Sequence, residues 1–433
     1  MRGIRLWDGG KMKKIISAIL AISILLASCG EVDFPSEESN TEEVQLPLLN
    51  EVSVEPTGQE GKYIEDIQEP FDGRIVIFTR APSTDFSNRN AVPIIEKYGE
   101  DKIINIYWQD IDYNLSVAVE LIEEMSNDPE IKIIITTPLH FSSEVHDAFE
   151  ALREAREDIF IVFCLPQSML LEEGVSSLAR KADLVLALDE VGIGSAMARQ
   201  AHKMGSETFV HFSPLIWRSY IDYARRNAIE QKCAELGMRF VEITLPEMWD
   251  IDPGERMIFI DEEIMRAVEE YGNDTAFFAP HAQSHIVWSV IITTGGILPQ
   301  PDSLAHSPFN SIISFTYHAV NYISLLEDEP SETSRHTKSA IEETRSFLAE
   351  YNMLGRVSNW PVPFEFMFTY TATEYAIKWL NGEVQREGID IEVLRQLMID
   401  YAGVEVFLTP FTDEETGEVF DNFLLMRMDY IIY

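Results

Sequence analysis

Residues able to do chemistry gather directly after short apolar runs. Ser83, Thr84, Asp85 and Phe86, then Asn88 and Asn90, follow the run Arg74–Thr79, and Trp108, Gln109, Asp110 and Tyr113 close or follow Ile103–Trp108. Thr136, Thr137 and His140 come at the end of the run from Ile131, Gln167 and Ser168 after Phe160–Cys164, and Asp189 after Leu184–Leu188. Further along, Ser213, Trp217 and Arg218 follow Thr208–Phe212, and His281, Gln283 and Ser284 follow Thr275–Ala279. Aromatic faces, amides, hydroxyls and a few charges are the groups that recognise a small polar ligand. Ser83, Asp85 and Asn88 equally suit caps for the helix that follows, and both readings stay open.

Signatures of reaction chemistry are missing. The chain has no H-E-x-x-H, no G-x-S-x-G and no phosphate-binding P-loop. Gly192-Ile-Gly194-Ser-Ala-Met197 follows an apolar run and opens a helical one, the context of a dinucleotide fingerprint. Met197 stands where the third small residue belongs, so the segment reads as a hinge or a helix start. His281 with His285, and His140 with His146, suit an exposed helix face or hydrogen-bonded core histidines better than a metal site. No catalytic residue, cofactor or metal is expected.

The apolar runs are continuous and largely β-branched, as in strands buried on both faces of a parallel sheet. Helical patterns lie between them: Leu115, Ala118, Leu121, Ile122 and Met125 share one face, as do Val145, Phe149 and Leu152. Strands alternating with such helices imply right-handed βαβ units. A second series begins at Thr208, with a long helix from Trp217 to Leu236 ending at Gly237, a strand over 238–244, a helix over 261–271 and a strand from Thr275. The fold class is therefore α/β, with two successive doubly wound, Rossmann-like units, each with its own parallel sheet.

The first part of the chain carries an address. Met12–Gly30 joins two lysines to an apolar run and ends in Leu26-Ala27-Ser28-Cys29, the order of a signal peptide. The run is short for a spanning helix, which needs about 20 apolar residues. Residues 1–28 are read as the signal peptide, with Met12 as the true start. Residues 29–70 form an acidic tether, rich in Glu, Ser and Pro, that cannot bury enough surface to fold. With 33 basic against 73 acidic residues, the chain has net charge −40, which repels nucleic acid. Cys29, Cys164 and Cys233 are too few for a disulfide scaffold.

Leu26–Cys29 resembles the lipobox of bacterial lipoproteins, in which Cys29 would be lipidated. Lipobox, tether and two sequential βαβ series together resemble the type I periplasmic (substrate-binding) proteins, within them a group of bacterial lipoproteins with no assigned ligand. That resemblance implies two lobes whose parallel sheets face a cleft, joined by three crossovers, with Asp189–Ser195 at the first. Thr371–Gly382, TATEYAIKWLNG, is similar to the family's late helix, which returns to the first lobe before the chain ends in the second. The implied division is 71–190 plus about 365–385 for the first lobe and 191–364 plus about 386–433 for the second. Two departures are a loop Arg80–Asp85 without paired glycines and a long aromatic segment, 299–363.

The resemblance implies an extracytoplasmic, lipid-anchored solute-binding protein, serving an ABC permease or a membrane sensor. Phe86, Trp108 and Trp217 favour a ring-shaped ligand such as a sugar or nucleoside. The expected ligand contacts are Ser83, Thr84, Asp85, Phe86, Trp108, Asp110, Thr137, Gln167, Asp189, Trp217, Arg218, His281 and Gln283. The competing readings are a secreted hydrolase using Asp85 or His281, and an interaction scaffold working through 299–363.

Overall fold

The first series of apolar runs forms β1 (Arg74–Thr79), β2 (Ile103–Tyr107), β3 (Ile131–Thr136), β4 (Phe160–Cys164) and β5 (Leu184–Leu188). Between them run α1 (Val92–Tyr98), α2 (Leu115–Asn127), α3 (Ser143–Ala155) and α4 (Gly174–Lys181). This is a computed structural model, and it describes residues 70–79, 90–107, 115–137, 143–165, 174–214, 220–246, 253–272, 274–278, 312–313, 341–342, 345–346, 349, 354–362, 364–385, 387–413 and 416–433. The expected signal peptide, the tether up to residue 69 and most of 299–363 lie outside that set.

The five strands pair in parallel in the order β2-β1-β3-β4-β5. Successive side chains leave a strand on opposite faces, and here both faces are covered. Val76, Phe78, Ile134, Ile161 and Phe163 form a core with Ile122, Phe149 and Leu178 of α2, α3 and α4. Ile75, Ile77, Ile133, Phe160 and Val162 face the other way, onto Met367, Ala372 and Tyr375 of α8 (Phe364–Leu380). That helix is apolar nearly all round, which only a buried position satisfies. It lies on β3 and β4, between α1 and α9 (Ile391–Ala402).

The tail differs from expectation. β11 (Val406–Thr412) and β12 (Val419–Met428) belong to the first sheet, not to the second unit: β12 pairs parallel with β5, and β11 antiparallel with β12. The physical reason is the edge of β5. Leu184, Val185, Leu186 and Ala187 are buried on both faces, and a free edge on such a strand would pair with another chain. Phe423, Leu424 and Met426 extend both cores over it.

The second series forms β6 (Thr208–Pro214), β7 (Arg239–Leu245) and β8 (Thr275–Phe278), parallel in the order β7-β6-β8. α5 (Glu190–Lys203), α6 (Tyr220–Glu235) and α7 (Pro253–Tyr271) accompany it. A small sheet, β13-β10-β9, joins β9 (Ile312–Ile313), β10 (Val357–Asn359) and β13 (Ile431–Ile432), and β9 lies beside β8. α5 and α6 approach closely because Gly194 has no side chain: a Cβ there would meet the Arg225 carbonyl oxygen at 2.4 Å. Gly237, at φ +73°, turns the chain after α6 as expected of a glycine stop.

The chain passes between the two units three times: at Asp189, between Asn359 and Phe364, and between Met428 and Ile431. The passages are tied side by side. Asp189 N–H donates to Met426 O at 2.8 Å, Trp360 Nε1 donates to Met428 O at 3.0 Å, and the rings of Trp360 and Tyr430 stand 6.3 Å apart. Two parallel α/β units with three adjacent crossovers make up the type I periplasmic binding protein fold. Among the described residues, no helix is long and apolar enough to cross a membrane.

Candidate functional site

The order β2-β1-β3-β4-β5 reverses between β1 and β3, and open α/β sheets bind ligands outside the strand carboxyl ends at such a switch point. Thr79 closes β1, and Thr136 and Thr137 close β3; all three are buried. Thr137 N–H donates to Phe78 O at 2.9 Å, holding the two strand ends together. Thr79 Oγ1 donates to Asn105 Oδ1 of β2 at 3.0 Å. α8 begins at this same edge, bringing Glu365 in its first turn and Thr369 one turn further in.

Thr369 is the centre of the cluster. Its hydroxyl donates to its own helix at Glu365 O, 2.8 Å away. It then accepts from Asn90 Nδ2 at 3.0 Å and stands 3.0 Å from Thr137 Oγ1. With its proton committed to Glu365 O, the network assigns Thr137 as the donor. Thr137 also touches the Cys164 thiol, whose burial pushes its pKa up to about 12 against the small opposing pull of that contact. Asn90 is not the cap of α1: that position is Ala91, with no side-chain cap. Its amide reaches instead to a partner 279 residues away in sequence.

Below this layer, α1 and α8 are locked by charge. Lys97 Nζ lies 3.0 Å from Glu374 Oε1, and Tyr98 OH donates to the same oxygen at 2.8 Å. Burial disfavours the Lys97 ammonium, but Glu374 and the Tyr370 hydroxyl outweigh it, so its pKa is raised. The pair fixes the register between α1, which follows Asn90, and α8, which carries Thr369.

The second unit has its own polar chain beneath α6. His211 Nδ1 lies 2.8 Å from Ser213 Oγ, which donates to Glu242; Arg226 pairs with Glu242 at 2.7 Å. Burial alone would raise the Glu242 pKa, but Arg226 and the Ser213 hydroxyl hold it below the usual carboxylate value. The serine proton faces the carboxylate, and both His and Glu meet the serine. That order differs from a nucleophile relay, where histidine stands between hydroxyl and acid. The His211 ring is edge-on to Phe278, with centroids 5.3 Å apart, and the Arg225 guanidinium lies 5.8 Å from the centre of that Phe278 ring. Arg225 pairs in turn with Glu190 at the start of α5.

Of the ligand contacts expected from sequence, two fall among the described residues. Thr137 lies in the switch-point cluster. Asp189 is committed to the fold: one carboxylate oxygen accepts from Gly192 N–H at 2.9 Å, capping α5, and the other faces Arg427 Nε at 3.5 Å. Its position at the crossover accounts for both duties. Gly192 and Gly194 thus serve a cap and a helix contact. Ser83, Thr84, Asp85, Phe86, Trp108, Asp110, Gln167, Trp217, Arg218, His281 and Gln283 lie outside the described residues, as does Cys29. Among the described residues, no group of three or more His, Cys, Asp or Glu is placed to hold a metal ion.

Sequence reasoning missed Thr79, Asn105, Glu365 and Thr369. The usable signal was in α8, where Glu365, Thr369, Thr371, Thr373 and Glu374 interrupt an otherwise apolar helix and therefore need buried partners. Thr371 and Thr373 find theirs locally, at the carbonyls of Met367 and Thr369. Thr369 and Glu374 find theirs across the fold.

Among solved structures, the chain is similar to one from Clostridium difficile 630 described as a "Putative transcriptional regulator". The two share 17% identity at a TM-score of 0.68, over 84% of this chain and 99% of that one. A sugar ABC transporter from Actinomyces odontolyticus ATCC 17982 matches at a TM-score of 0.46 and 11% identity, over 73% of this chain and 86% of that one. An uncharacterized protein of Treponema pallidum (strain Nichols) is 28% identical over 177 residues, which is 40% of this chain and 79% of its own. The model of the family DUF3798, described as a protein of unknown function, matches residues 74–341. That span exceeds half of the chain, and this protein belongs to that family.

Proposed function

We propose that this protein is an extracytoplasmic, lipid-anchored receptor that captures a small polar ligand between its two α/β units and hands it to a membrane permease or sensor. The observation that carries the reading is the polar cluster at the β1/β3 switch point. Seven buried or part-buried polar groups, Thr79, Asn90, Asn105, Thr136, Thr137, Glu365 and Thr369, gather where a sheet of this topology receives ligands. The three tied crossovers support it, since adjacent passages suit a hinge, whose closure follows from contacts made only when closed. The aromatic residues Phe86, Trp108 and Trp217, set after strand ends in sequence, favour a ring that can be sandwiched, as in a sugar or nucleoside. Lipid attachment at Cys29 and the acidic tether would hold the receptor off the bilayer.

Calorimetry on the full chain in detergent, against sugars, nucleosides and amino acids, tests the reading. Saturable binding of one such compound at one site per chain is expected. Absence of binding across all three classes would sink it. Capture of a permease or sensor kinase from solubilised membranes by the anchored protein tests the delivery step, and failure to enrich either removes that half of the proposal.

A further inference from the structure

The hydrogen-bond ledger of the switch-point cluster does not close. Asn90 is 1% exposed, and its Nδ2 donates to Thr369 Oγ1, but its Oδ1 has no donor. A buried carbonyl oxygen left unmet is destabilising, and native structures rarely leave one so. Turning the amide over offers no remedy. It would set Oδ1 against the Thr369 oxygen, whose proton already serves Glu365 O, and leave the NH2 group without an acceptor.

Among the described residues, the nearby donors are committed. Thr79 donates to Asn105, Thr137 to Thr369, and Thr369 to its own helix. Among the described residues, no cation reaches this layer: Lys97, on α1, is engaged with Glu374 and Tyr370 further along α8. The charged side chain of the described cluster is Glu365, buried in the first turn of α8, about one helical turn from Thr369. An anionic group arriving here would meet the lone pairs of a carbonyl oxygen, which has no proton to offer it. A hydroxyl or an N–H would meet an acceptor already held in place by α8 and β3.

We infer that Asn90 is a specificity-determining residue whose Oδ1 accepts a hydrogen bond from an O–H or N–H of the bound ligand, so that the first unit selects a neutral or cationic donor-bearing group and rejects phosphate or carboxylate. This rests on the reading of the switch point as the ligand site. It goes further by naming the atom that reads the ligand and the class of group it reads.

The test uses the full chain and two sets of probes. The neutral set is D-ribose, D-galactose, myo-inositol and adenosine; the anionic set is inorganic phosphate, galacturonate and glutamate. A neutral probe should bind, and Asn90→Ala should weaken it about tenfold or more, the loss of one good hydrogen bond. Analogues of that probe lacking one hydroxyl in turn should include one that binds weakly to the native chain, with no further loss in Asn90→Ala. Tightest binding by an anionic probe would overturn the inference and leave the ligand-site reading standing, as would unchanged affinity in a folded Asn90→Ala. Binding of no probe from either set would overturn the reading and the inference with it. Should Asn90→Ala fail to fold, a crystal structure of the native chain with its neutral probe decides. A probe oxygen or nitrogen within hydrogen-bond reach of Asn90 Oδ1 supports the inference, and a solvent water or nothing there refutes it.

Discussion

Replacing Lys97 by Met should destabilise the protein by breaking the buried ion pair between α1 and α8. The two side chains of the Lys97–Glu374 pair are 6% and 7% exposed, so neither charge is screened by water to any useful degree. The Lys97 ammonium also lies 5.2 Å and 5.3 Å from the ring centres of Tyr98 and Tyr370. In Lys97→Met, Glu374 keeps the Tyr98 hydroxyl but loses its counter-charge. Breaking a buried pair from one side costs about 3–5 kcal/mol, whereas replacing both partners by apolar groups of similar volume is often neutral or stabilising. Lys97→Met with Glu374→Leu should therefore recover most of the loss. Urea unfolding followed by tryptophan fluorescence and circular dichroism measures all three proteins. The sign of the pH effect also follows. A raised lysine pKa means that the contribution is complete below the unfolded value, about 10.4, and is lost only as pH rises through the folded value. The gap between native protein and single variant should hence stay level from about pH 6 to 9 and narrow only at more alkaline pH. A single variant within about 1 kcal/mol of the native chain, or a double variant as unstable as the single, would refute the account of how α8 is locked to α1.

Gly194→Ala should destabilise although alanine favours helix by up to about 1 kcal/mol, because its Cβ would meet backbone at 2.4 Å; overpacking of this kind costs about 1–3 kcal/mol, and an Ala variant more stable than the native chain in urea would contradict so close an approach of α5 and α6. Asp189→Ala should lose about 1 kcal/mol from the missing cap, with little more from the part-exposed Arg427 pair; Asp189→Asn, which keeps a capping oxygen, should lose less, and the reverse order in thermal melts would count against the capping role. Cys164 and Cys233 are free thiols whose pKa values are pushed up to about 12 by burial, so neither should react with iodoacetamide at about pH 8 until urea unfolds the chain, and mass spectrometry showing modification of the native protein would overturn their placement. Cys29→Ala should abolish fatty-acid labelling in cells, and labelling that survives would remove the lipid anchor from the proposed function.

Local pattern was enough for the parts of this chain whose conformation local pattern decides. Arg74–Thr79, Ile131–Thr136 and Phe160–Cys164 were legible as strands covered on both sides, since only that position suits an unbroken β-branched run. The helices between them were legible from their apolar spacing, and Gly192–Gly194 as a helix start. Which strand completes the first sheet was not legible, because β12 is chosen by the open edge of β5, more than 230 residues earlier in the chain. The site shows the same division. The sequence identified the strand ends as the place to look and named Thr137 there, because the carboxyl edge follows from βαβ order. Only the tertiary structure brought Asn90 to Thr369, and only it gave Asp189 a cap and an ion pair. A side chain's type says what bonds it can make. Which of them are already taken depends on neighbours that the chain supplies from hundreds of residues away.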